Sequence, residues 1–299
     1  MPSDYDAVVK ALDAGLLAGR PVREVPTGWD IAYAVDISPD EVRVAWQQAR
    51  ALVKRLGRWP IVTTSWGPAA VGEADFSRFY FGEGDNAPQA VCSRARELSR
   101  EDALRWPSPL DAESYFAREW RAVVQSDLDA TLRRVGATPA LDQVLALDLS
   151  PDHVALERWL LEWEEARRPT TEPEDAGHLG WFEPDDMSAC ALLLLPTPAS
   201  EEVPAYLSFF GAEGPGGHER LIAILRSWRG RFGAEMVASW GTMLQLDVTR
   251  PPQQLGEAFE LAVEQYAVAP STLDLAGVSI RDHARTLMHR TQWFLHARP

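Results

Sequence analysis

Between Cys190 and Ala297 the apolar positions change period several times, and each change marks a new element. Ala191 to Leu195 is a continuous apolar run closed by Pro196, the pattern of a strand buried on both faces. Leu221, Ile222, Leu225, Trp228 and Phe232 then recur at helical spacing, giving one apolar stripe that Gly233 stops. Glu235 to Trp240 and Leu244 to Val248 read as strands; in the second, Leu244, Leu246 and Val248 alternate with Gln245 and Asp247. Gly241-Thr242 between them suits a hairpin. Pro251-Pro252 opens a helix with Leu255, Ala258, Phe259, Ala262, Val263 and Tyr266 on one face, broken at Pro270-Ser271. A shorter helix shows Ile280, Ala284, Leu287 and Met288, and Gln292 to His296 is a last strand. Without that shorter helix the order is βαββαβ, which predicts a ferredoxin-like, four-stranded antiparallel sheet with two helices on one face.

The first half is also mixed. Tyr5, Val8, Val9, Leu12 and Leu16 form a helical stripe, and Trp29, Ile31, Tyr33 and Val35 alternate as in a strand. Ser38, Pro39 and Glu41 make a capping box ahead of a helix with Val42, Ala45, Ala49, Leu52, Val53 and Leu56 inward. Pro60 to Trp66 is a β-branched strand. Gly67 to Gly84 is aromatic and irregular. Helices are predicted over Arg94–Leu104, Ala112–Val135 and Val154–Arg168, with a short strand at Val144, Leu145 and Leu147. Asp148 to Val154 repeats the Ser-Pro-Asp helix-start phrase of Asp36 to Val42, which shared local physics explains without an internal repeat. The chain thus reads as α+β: an N-terminal part over 1–169, an acidic linker over 170–186 and a C-terminal part over 187–299. Both parts present incomplete sheets, so they can pack as one body.

Several C-terminal pieces carry a resemblance. Arg231 to Val237, Leu244 to Val248, Arg250-Pro-Pro252, Glu257-Ala258 and Ala262 to Ala267 together resemble the bacterial family known as domain of unknown function 4253. The similarity runs from Leu192 to His296. It implies no activity that can be carried over. Ala269 to Thr272 stands where a Cys-Pro-Asp-like run is expected, Leu275-Ala-Gly277 where Gln-Gly is usual, and Trp293 to His296 lacks an aromatic pair followed by an acid.

Charge narrows the choice of partner. The formal net charge of −15 argues against phosphate-mediated nucleic-acid binding, which needs clustered Lys and Arg, and favours a basic partner. No apolar run approaches a membrane span, and Met1 to Asp6 has no apolar leader pattern, so a cytoplasmic protein is expected. Cys92 and Cys190 are the only cysteines and read as buried thiols. No cofactor motif is present.

From Thr170 to Glu219 there is no Lys or Arg, while Glu172, Glu174, Asp175, Glu183, Asp185, Asp186, Glu201, Glu202, Glu213 and Glu219 all fall there. A solvated linker accounts for much of this pattern. Its functional reading is a non-catalytic acidic surface for a basic protein, by analogy alone with bacterial immunity proteins. The alternative is a small-molecule or metal-dependent enzyme with a site between the halves. In that reading His178, Asp185, Asp186 and His218 hold the metal, although their spacing matches no ligand motif. Gly211, Gly214, Gly216 and Gly217 precede a helix but lack a P-loop ending, and Glu213 and Glu219 oppose an anion. Ser65 and Ser239 sit in no nucleophile motif. His283 and His289 flank a helical face and are expected to be exposed, with His296 a polar group on the last strand.

Overall fold

The computed structural model describes residues 4–27, 30–64, 84–105, 112–169, 172, 177–180, 182–184, 190–214 and 216–298, the side chains of 112–115 excepted. The predicted segment Gly67 to Gly84 lies outside the described residues, save Gly84. The strands are β1 (Arg23–Pro26), β2 (Ile31–Ile37), β3 (Trp59–Thr64), β4 (Cys190–Leu195), β5 (Ala234–Ser239), β6 (Met243–Val248) and β7 (Gln292–His296). The helices are α1 (Asp4–Leu12), α2 (Val42–Arg50), α3 (Val53–Leu56), α4 (Pro88–Glu97), α5 (Arg100–Leu104), α6 (Ala112–Val135), α7 (Leu141–Leu145), α8 (His153–Glu165), α9 (Gly217–Phe232), α10 (Leu255–Val268), α11 (Ser271–Asp274) and α12 (Ile280–His289). No helix among the described residues is long and apolar enough to cross a membrane.

Two compact units divide these elements: one holds residues 1–105, 181–250 and 292–299, the other 106–180 and 251–291. The first is built on a seven-stranded sheet of order β1-β2-β4-β3-β5-β6-β7. Every residue of β4 is buried, as its unbroken apolar run requires. It pairs antiparallel with β2 on one edge, Leu193 against Ala34, and with β3 on the other, Leu193 against Ile61. Transferring each of its leucines out of water contributes about 1.5–3 kcal/mol. The single parallel junction joins β3 to β5 at Val62 and Ala238. β5, β6 and β7 continue as antiparallel neighbours. The expected four-stranded ferredoxin-like sheet is therefore not the pairing found: that arrangement would set β4 between β6 and β7, whereas β4 pairs with β2 and β3, and β6 pairs with β7 directly. Local periodicity identified β2 to β7 but not β1, whose residues 21–28 read as a connector, and it holds no information about which edge a strand meets.

Specific side chains fix the layers of this unit. Trp59 donates its indole N–H to the carbonyl of Met236 at 3.0 Å, tying β3 to β5 beyond their one backbone pair. Trp228 on α9 meets Trp293 on β7 edge-on, ring centres 6.0 Å apart. The capping box is present: the Ser38 amide donates to Glu41 Oε2 at 2.8 Å. Arg20, paired with the same carboxylate, holds it down to about 2. Both cysteines are buried thiols, as expected.

The second unit is helical. α8 packs on α6 and α12, and α10 on α12. Trp120, Val124, Leu128, Val144, Leu156 and Leu160 form its apolar centre. The strand predicted at Val144, Leu145 and Leu147 is not formed; Leu141–Leu145 is α7, with Val144 turned into that centre. A short apolar run fits a buried helix as well as a strand, and here tertiary packing chooses.

Candidate functional site

The polar centre of the helical unit forms around Arg281. Its position on α12 is fully inside, and a charge there needs partners. The five guanidinium N–H bonds all find acceptors. Nε donates to Glu164 Oε1 at 2.9 Å, Nη1 to Glu157 Oε1 at 2.5 Å and Asp127 Oδ1 at 3.4 Å, and Nη2 to the Asp127 carbonyl at 2.9 Å and Thr131 Oγ1 at 3.2 Å. The Arg281 amide also donates to Glu157 Oε2 at 3.0 Å. One turn on, Arg285 donates to Glu164 Oε2 at 2.8 Å and Glu165 Oε1 at 3.2 Å, and Arg134 to Asp282 at 2.6 Å.

Spacing along three helices builds this cluster. Asp127, Thr131 and Arg134 lie on one face of α6, His153, Glu157 and Glu164 on one face of α8, and Arg281 and Arg285 one turn apart on α12. His153 Nε2 is 3.1 Å from Asp127 Oδ2 and 3.8 Å from Glu157 Oε1. Burial pushes the Glu157 carboxyl up to about 7, with Arg281 opposing and Asp127 adding to the rise. Burial also works on Asp127, but the His153 hydrogen bond and Arg281 outweigh it and hold that carboxyl below its usual range. For His153, burial favours the neutral ring, and the hydrogen bond and charge of Asp127 more than restore the proton.

The donor atoms of Asp127, His153 and Glu157 lie within 4.8 Å of one another, close enough for one cation. Arg281 already occupies that role: its Nη1 bridges the two carboxylates, so the positive charge a metal would bring is supplied by the chain. Nearby, His178 Nε2 is 2.9 Å from His283 Nδ1, and His283 Nε2 is 2.9 Å from Gln265 Oε1. His283 is fully buried, not exposed as the helical pattern suggested, and desolvation lowers its pKa well below the ordinary value. His289 is exposed as expected.

His153 also reaches a pocket. With Phe116, Pro151, Asp152, Val154 and Tyr266 it is among the described residues lining an open cavity of about 340 Å³. In the sheet unit, a cleft of about 480 Å³ runs along Asn86, Val91, Ser208, Glu213, Gly214, Gly216, His218 and Glu219. Here the glycine-rich loop meets α9. A side chain at Gly217 would place its Cβ 2.1 Å from the Ala212 carbonyl oxygen, so the close turn requires glycine.

The sequence candidates distribute as follows. Glu219 pairs with Arg94 at 2.5 Å, Glu202 with Arg96 at 2.7 Å and Glu201 with Arg229 at 2.5 Å. Glu172, Glu183 and Glu213 are exposed. Glu174, Asp175, Asp185 and Asp186 lie outside the described residues. His218 belongs to the sheet unit, with Nδ1 2.7 Å from the Pro204 carbonyl, whereas His178 belongs to the helical unit. The Arg281 cluster was absent from the sequence candidates. Its only signal was charged residues recurring every four positions on otherwise apolar helices, which reads equally well as a solvated face.

Residues 191–296 match the family model described as Domain of unknown function (DUF4253). No curated protein and no solved structure matches. The DUF4253 region supplies β4 through β7 to the sheet, and Gln265, Arg281, His283 and Arg285 to the helical unit. The carboxylates that receive those arginines, Asp127, Glu157 and Glu164, all come from the chain before it.

Proposed function

We propose that the protein is a non-catalytic binding protein that engages a basic protein partner through carboxylates of the 170–219 segment. The observation that supports this reading is a difference among those acids. Glu201, Glu202 and Glu219 are paired with arginines of the chain, whereas Glu183 and Glu213 are exposed and carry no ion pair among the described residues. An exposed carboxylate in a stretch without Lys or Arg contributes to a field that steers cations. Glu213 also stands at the edge of the cleft over α9, where a lysine or arginine side chain fits by charge.

The test is capture from lysate at about 50 mM and about 300 mM salt, using the native chain and the double variant Glu183→Gln/Glu213→Gln. Proteins of high isoelectric point should be enriched at low salt, lost at high salt, and depleted by the double variant. A captured set with no bias toward basic proteins, or one indifferent to the variant, overturns the reading.

A further inference from the structure

The pocket of the helical unit has a chemistry of its own. Its walls are Phe116, Pro151, Val154 and Tyr266, with His153 between them and the exposed carboxylate Asp152 beside it. The Phe116 ring stacks on the His153 imidazole with centres 4.9 Å apart and planes 28° from parallel. From behind, Asp127 at 3.1 Å and Glu157 at 3.8 Å answer any charge on His153. The cavity therefore meets a flat ring whose charge is compensated inside the bundle. Asp152 accepts from the Ala155 amide at 2.8 Å, which fixes it as the cap of α8. Tyr266 hydrogen-bonds Asp274, which is near enough to His153 for their charges to interact.

We propose that this pocket binds a small organic cation with a flat apolar body, of the arylalkylamine class. The aromatic pair Phe116 and His153, with Tyr266, offers ring faces to the body of the ligand, and the Tyr and Phe faces attract a cation. Asp152, with Asp274 behind Tyr266, supplies the negative charge for its ammonium group. Among the described lining residues there is no lysine or arginine, and the positive charge of His153 is offset from inside the bundle by Asp127. The volume is at the lower end of small-molecule sites, which suits a single ring and a short chain. This assignment does not rest on the basic-partner reading, since it uses other residues and a ligand of another class.

Three probes of matched shape separate the possibilities: phenethylamine, 2-phenylethanol and phenylacetate, each titrated by calorimetry and by the ring resonances of His153. The amine should bind most tightly, the alcohol more weakly and the acid most weakly. Phe116→Ala should weaken amine binding about tenfold, the equivalent of one aromatic contact. Asp152→Asn keeps a good helix cap and so the fold, and should reduce the preference of amine over alcohol several-fold. The proposal fails if phenylacetate binds as tightly as the amine, if the Asp152→Asn variant keeps the full preference, or if no probe moves the His153 resonances at millimolar concentration.

Discussion

Arg281 Nη1 lies 2.5 Å from Glu157 Oε1 where both side chains are hidden from water, at 2% and 0% exposure. The pair is held in place by acceptors on every other guanidinium N–H, and this completeness decides what its removal does. Arg281→Met should leave Glu157 buried without its arginine, with Asp127 keeping only His153 and Glu164 keeping Arg285 and Arg134, and cost about 3–5 kcal/mol, read as a lowered urea midpoint. Adding Glu157→Gln should recover part of that loss, because it removes the stranded charge. Equal stability of the single and double variants would contradict the assignment.

Arg285 is a contrasting case. Among the described residues its Nε and Nη1 have no hydrogen-bond partner, although Nη1 lies 3.7 Å from Asp282 Oδ1 and Nη2 reaches two carboxylates. Arg285→Met should therefore destabilise less than Arg281→Met in the same urea series, since fewer acceptors are orphaned. The reverse order would show that the bond pattern does not set the energy.

Two buried groups give opposite pH slopes. His283 stays neutral in the folded chain, while the unfolded chain takes up its proton near the ordinary value of 6.5. Its contribution is complete above pH 6.5 and is lost as the pH falls below it. Glu157 has the opposite sign: folding raises its pKa from 4.5 to about 7, so the folded chain holds the extra proton. That contribution is complete below pH 4.5 and is lost as the pH rises toward 7. Unfolding free energies across about pH 4–7 should become less acid-sensitive in His283→Asn and more acid-sensitive in Glu157→Gln. Parallel pH profiles for the two variants would refute both signs.

Cys92 is buried, and desolvation pushes its thiol up to about 12, with Glu202 adding to the rise. At about pH 8 almost no thiolate is present, and the side chain has little access to reagent. Labelling by a disulfide reagent should be slow in the folded chain and complete within the dead time after unfolding. Fast labelling of the folded chain at Cys92, mapped by peptide mass, would count against this packing.

The sequence made the elements legible where one face is apolar and the period is long. The helix ending at Gly233, the strand of leucines at 191–195, the helix after Pro251-Pro252 and the Ser38–Glu41 cap all lie where the pattern puts them. Strand order was not legible. The placement of β3 between β4 and β5 depends on contacts between Trp59 and Met236 that are 177 residues apart in the chain. The charged centre was hidden for a different reason. Asp127, Glu157, Arg281 and Arg285 have the spacing of surface residues, and only the facing helices convert that spacing into an interior. His283 was misjudged on the same ground, since its partners His178 and Gln265 come from outside its own helix.

The central strand β4 is synthesised late, yet both its hydrogen-bonding edges are taken by β2 and β3, which emerge from the ribosome much earlier. Until residue 195 is out, those two early strands have no mate for the edges it will fill, and open edges of this kind recruit other chains. A nascent chain stalled before Cys190 would therefore expose the edges of both β2 and β3 that β4 later covers.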